Sequence, residues 1–377
     1  MCDIDSTVWH KHWRFGSEEF SVTLSRHSTA EIGRHSPYAS RTKNIKKQSD
    51  IHDTTHYCKL GGPGFKKFEK HLEKHQPNSS EKIPVHTTNL HPLPSWNINE
   101  LSIVGNAEVD EAIVKELALD SVPGAADRVR FLRGDQLTLA RLWALEFIRG
   151  GQEDGYEGFF WGVWIPGLFH AKIADAHGTK LNHFGKPESA AQSPWSLGFQ
   201  NSRLDRLPIT LTSLPTFRTS RDLIFVALYT RALHCLCLTS KFSSLEEYTL
   251  KVDKWETLVK HATNIFQNYA NSALVDELRS QQAQVLKEDR SAKPTEGYAV
   301  FGSLFFWDAL LSCKFNDAIK AGDSGRVILV LKLWALSFRG NSQTKYAYEM
   351  LHLVHNLTSV WPRPIQYVNS MTCSQNV

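Results

Sequence analysis

The stretch Val129–Arg149, VRFLRGDQLTLARLWALEFIR, decides how this chain is read. Val129–Leu132 is a short apolar run of strand length. Gly134-Asp135-Gln136 follows as a turn. From Thr138 to Arg149 the apolar residues recur at helical spacing, with Leu139, Leu142, Leu145 and Phe147/Ile148 directed inward. Gly150-Gly151 stops that helix. Working outward, Phe159–Ile165 is a bulky strand candidate, Pro166-Gly167 breaks it, and His170–His177 opens a second helix. Strand, helix, strand, helix is the order of an α/β unit.

An Asp that ends a short strand and precedes a helix stands where a nuclease-type carboxylate would stand. With a second carboxylate, Asp135 would hold Mg²⁺ and align a phosphoryl displacement. The same residue is also what a turn and a helix N-cap ask for, and local pattern favours that reading. His170 and His177 lie seven apart and share a helix face, while Asp175 lies elsewhere on it. They are candidates for phosphate-contacting groups near Asp135. The commoner meaning of such residues is a half-buried His at a helix start and a solvated face.

The rest of the chain divides by composition. Residues 1–95 are polar, basic and rich in His, and are expected to be a mostly disordered arm. The exception is Gly64–His75, where Phe65, Phe68 and Leu72 are spaced for one short amphipathic helix. Residues 96–377 form the expected domain: an α/β part at 96–178, a loop or insertion at 179–220, and a helical part at 221–360. Glu108–Leu119 reads as a helix capped by Asn106. Ser244-Leu-Glu-Glu247 is a capping-box pattern. Arg326–Phe338 is apolar nearly all round and is expected to be buried. The fold class is therefore α-rich α/β, with a small sheet, a large helical section and a disordered N-terminal arm.

Hydrophobic residues make up 41% of the 377 and charged residues 22%, which argues against wholesale disorder. The net charge is +4. Residues 1–75 hold thirteen Lys or Arg against nine acids, so the arm accounts for the whole excess. Its Lys43, Lys46, Lys47, Lys66, Lys67 and Lys70 are candidates to touch nucleic-acid phosphates, or to form a solvated tail. Six cysteines are too scattered for a disulfide framework. Cys58, His71 and His75 have the spacing of the back half of a zinc finger, without the front half. Gly61-Gly-Pro-Gly lacks the spacing of a phosphate-binding loop and reads as a turn. Cys235-x-Cys237 falls within an apolar helical run and reads as two structural thiols. No run reaches ~20 uninterrupted apolar residues, so no membrane span is expected, and cytoplasm or nucleus is the default location.

"RGDQLTLARLWAL", "WIPGLFHAKIADAHG" and "GDSGRVILVLKLWALSFRGNSQTKYAYEMLHLVHNL" together resemble the fungal family called domain of unknown function 6589. "HPLPSWNINELSIVGNAEVDEAIVKEL" is similar to its lead-in. The resemblance covers roughly residues 90–366, and it implies a transposon-derived protein of no established activity. The order Asp, helix, strand, His is similar to part of a ribonuclease-H-like transposase core, in which Asp135 would match one of three acids. The Asp-Asn segment upstream and the Glu-His-Leu-Asn segment downstream, which fuller members carry, have no counterpart here. Asp308, Asp317, Asp323 and Glu349 are the acids left in the helical part, and Glu349 is the choice among them, beside Asp135 and His170. The expectation is a degenerate relative of a nucleic-acid-processing enzyme. The alternatives are a Mg²⁺-dependent core centred on Asp135, and a protein-interaction module using the helical surface.

Overall fold

The computed structural model describes residues 57–58, 61–77, 81–83, 92–125, 128–150, 155–159, 161–185, 194–209, 215–270, 272–288 and 297–366. The chain divides into two compact units. The described part of the first is Ile83–Ala171 with Leu331 onward, and that of the second lies within Ser28–Lys82 and Lys172–Val330.

In the first unit, strands β1 (Arg130–Gly134) and β2 (Gly162–Pro166) pair in parallel, from Arg130 opposite Gly162 to Gly134 opposite Pro166. Parallel strands need a crossover, and the helix Gln136–Arg149 supplies it. Leu139, Leu142 and Leu145 recur every three residues and are all buried. They pack with Val114, Phe159, Trp161 and Trp164 into one core. Phe147 and Ile148 depart from expectation: they are 88% and 65% exposed. Past Leu145 the apolar run continues beyond the stripe that faces the sheet.

Two other details differ from the sequence reading. The helix expected at Glu108–Leu119 spans Ile103–Glu116, and Ser102 caps it by accepting from the Gly105 amide at 2.9 Å. Asn106 is instead a buried side chain donating to the carbonyls of Glu100 and Ser102. Strand β2 starts at Gly162, since Phe159 has φ 59° and leaves extended geometry.

The second unit is helical. Its core joins Leu223, Ile224, Ala227 and Leu228 of helix Phe217–Ser240 to Leu258, Ala262 and Ile265 of helix Trp255–Tyr269. Phe305 and Ala309 of helix Gly297–Lys320 complete it. Phe217–Ser240 is long and apolar enough by composition to cross a membrane, yet its apolar residues supply this core. Ser244 caps helix Leu245–Lys251 as expected, accepting from the Glu247 amide at 3.1 Å. Glu247 reaches one residue further back than a capping box requires, to the Ser243 amide and hydroxyl. Within 179–220 the described residues include a helix, Leu197–Arg203, which Ser196 caps. Its seven residues are too short to register as a periodic pattern.

Residues 61–77 belong to this second core. A 3-10 turn at Pro63–Phe68 runs into helix Glu69–Lys74, and Phe65, Phe68 and Leu72 are buried. Phe65 stacks on Tyr248 at 5.9 Å. The Gly-rich turn has a packing reason. Gly62 has φ 99°, which side chains rarely adopt, and a Cβ on Gly64 would sit 2.4 Å from the Thr249 hydroxyl.

Candidate functional site

At the carboxyl ends of β1 and β2 two chain reversals meet. The Gly167 amide donates to the Gly134 carbonyl at 2.8 Å, and helices start directly after each strand. Asp135 follows β1 and His170 follows β2. Helix Thr344–His355 closes the cleft from the same unit, bringing Tyr346, Glu349 and Met350 to Gly134, Gln136, Pro166 and His170. The space enclosed is about 10 Å³, room for roughly one water.

Asp135 is the N-cap of the helix it precedes, and its carboxylate accepts from the Thr138 amide at 2.8 Å. Burial acts against its charge, but the Thr138 amide and hydroxyl, the charge of His170 and the Leu137 amide hold its carboxyl below the usual range. Among the described residues, the charge that acts on Asp135 is that of His170, and it is favourable. Glu349 is the opposite case. It is 5% exposed, its Oε2 has no hydrogen-bond partner among the described residues, and burial pushes its pKa up to about 7. Tyr346 feels both: burial raises its pKa, and the charges of Asp135 and Glu349 add to the rise.

The cleft therefore brings together His170 and Glu349, which sequence reading had put forward, and Tyr346, which it had missed; Asp135 sits beside it, near enough to feel the charge of His170 and to act on Tyr346. The available signal was spacing, since Tyr346 and Glu349 are three apart and share a helix face. The donor set does not fit a divalent cation. Mg²⁺ needs ionised oxygens in an octahedral arrangement. One Asp135 oxygen is committed to an amide, and Glu349 holds its proton up to neutral pH. Among the described residues, no group of three His, Cys, Asp or Glu is placed to bind a metal ion.

The other candidates are engaged elsewhere. Asp175 and His177 belong to the second unit. There Asp175 is buried and accepts from the Ser312 hydroxyl, and burial together with Lys180 lowers the pKa of His177. Asp308 meets His183 at 2.8 Å. Asp323 is fully buried and bonds the Arg326 guanidinium and amide. Cys58 is a poor zinc ligand: burial, then Glu69, raise its pKa to about 11. Its spacing partners His71 and His75 lie against Trp255 at 5.9 and 5.4 Å. Lys43, Lys46 and Lys47 lie outside the described residues. Lys66, Lys67 and Lys70 are all exposed; Lys67 also meets Asp253 at 2.5 Å and donates to the Thr249 carbonyl.

The fold and cleft define an α-rich protein with a parallel βαβ unit whose acidic turn caps a helix. The chain belongs to the family described as Family of unknown function (DUF6589), which matches residues 39–372. That match starts well upstream of the motifs at 90–366 and takes in the turn and helix at 61–77. No curated protein and no solved structure matches the chain.

Proposed function

We propose that this chain is a catalytically silent, transposon-derived relative of a nucleic-acid-processing enzyme, acting inside the cell as a scaffold. On this reading the two-stranded unit is the remnant of a ribonuclease-H-like core. The observation that carries it is the state of Asp135: an amide-bound helix cap under the charge of His170, beside a cleft with room for one water. A phosphoryl-transfer site would instead face ionised carboxylates toward open space.

Calorimetry with Mg²⁺ and Mn²⁺, with a cleavage assay on single- and double-stranded DNA, tests the reading. Neither binding nor cleavage is expected. Metal-dependent cleavage abolished by Asp135→Asn and by Glu349→Gln, with folding intact, would overturn it. The same residue makes a stability prediction. Asp135→Ala loses about 1 kcal/mol through the cap, read as a lower urea midpoint, and Asp135→Asn retains most of it. Equal losses in both variants would deny the cap its role.

Contact with nucleic acid is assigned to Lys43, Lys46, Lys47, Lys66 and Lys70, with Lys67 withdrawn to Asp253. Replacing Lys66 and Lys70 by Ala is expected to weaken binding to a DNA duplex and to reduce the slope of log K against log salt by about 2. An unchanged slope removes these two lysines from the interface.

A further inference from the structure

The second unit contains a pocket of about 510 Å³ that plays no part in the cleft just described. It opens between the turn at Trp195, helix Phe217–Ser240, the end of helix Trp255–Tyr269 and helix Gly297–Lys320. That volume suits a small organic ligand. Trp195, Tyr269 and Phe306 give it aromatic walls, Arg231 is the one Lys or Arg in its described lining, and Gln200, Asn268 and Ser303 are among its neutral polar groups.

Arg231 is the unusual member. Its Nη2 donates to the Trp195 carbonyl at 2.6 Å, and its guanidinium lies 4.2 Å over the Phe305 ring. These contacts fix the side chain against the pocket wall. Its Nη1 is enclosed and has no hydrogen-bond partner among the described residues. Among the described residues no Asp or Glu pairs with it, and none lines the pocket. Burial pulls its pKa down to about 10, so the group stays charged at neutral pH. Arg231 is half-buried, and an enclosed edge of a guanidinium without a counter-ion is costly; sites that keep one commonly use it on a ligand.

We propose that this pocket binds a small aromatic carboxylate, its ring between Trp195, Tyr269 and Phe306 and its carboxylate toward Arg231. One fixed guanidinium balances one negative charge. A phosphate dianion would bring a second charge for which the described lining offers no second Lys or Arg. A neutral ligand would leave the guanidinium uncompensated.

The test is calorimetry on the full chain with 2-naphthoate, 2-naphthamide and inorganic phosphate. Naphthoate is expected to bind saturably and at least tenfold more tightly than the amide, and phosphate is expected not to displace it. Arg231→Gln should weaken naphthoate at least tenfold and leave naphthamide unchanged, with Arg231→Lys intermediate. Equal affinity for acid and amide overturns the proposal. So does the absence of saturable binding, displacement by phosphate, or full naphthoate affinity in Arg231→Gln. Should Arg231→Gln fail to fold, the acid-to-amide ratio on the unaltered chain decides.

Discussion

Relative to the double variant Asp110→Asn/Glu349→Gln, the native chain is expected to lose stability steadily from about pH 4 to about pH 7. Both acids lie in the first unit. Asp110 is 4% exposed and Glu349 5%, each has a carboxylate oxygen without a partner among the described residues, and burial alone raises both to about 7. Unfolded, they release their protons near 3.8 and 4.5. Between those values and 7 the folded chain binds more protons than the unfolded one, so stability falls as pH rises. The contribution is fully present below about pH 4 and fully lost above about 7. At 1.36 kcal/mol per pKa unit, three units set a ceiling of about 4 kcal/mol per group. Relaxation of the site and water entry reduce that to on the order of 2 kcal/mol. The comparison has to be differential, because burial depresses His352 in the same unit, and a depressed His works in the opposite sense. Asp135, held low, acts only in more acid solution. Urea midpoints at pH 5 and pH 8 decide the matter. The variant should gain on the native chain at pH 8 and lose that advantage at pH 5. A pH-independent gap would mean that neither carboxyl keeps its proton in the fold.

What the sequence disclosed follows from how local each cause is. The βαβ unit was legible because strand length, turn chemistry and a 3.6-residue period coincide in Val129–Arg149. Asp135 as a cap was legible for the same reason, its partner being only three residues away. Glu349 was reachable only through the apolar neighbours on its own helix, Met350 and Leu353. Tyr346 was not, since its place depends on a helix more than two hundred residues from Asp135 folding back onto the strand ends. Phe147 and Ile148 looked like core by period and are exposed, because period marks a face but not where its cover ends. The pocket at Arg231 draws on four separate segments and has no local signature. The order Asp, helix, strand, His was legible as an order of residue types. Order does not supply the facing carboxylates that metal chemistry needs.

The strongest single test of the architecture is Phe65→Ala, expected to cost about 3–5 kcal/mol. Composition placed this residue in a polar arm, where only a short amphipathic helix stood out. The chain instead puts Phe65 at 0% exposure, stacked on Tyr248, with Phe68 at 6.4 Å and Trp255 beyond it. Tyr248 is itself held by His261, ring nitrogen to hydroxyl at 2.9 Å. Removing the ring therefore empties a site walled by aromatic side chains, one of which, Tyr248, is pinned by its own hydrogen bond. Such walls relax little, and the cavity cost persists. Averaged polarity hides this because the five apolar contacts at Tyr57, Cys58, Phe65, Phe68 and Leu72 are diluted by surface lysines. The control is Lys70→Ala, one helix face away and exposed, which should stay within about 0.5 kcal/mol of the native chain. Chemical denaturation of both variants separates the alternatives. If Phe65→Ala unfolds at the native midpoint, residues 61–77 are a detachable tail, and the family's fold begins after them.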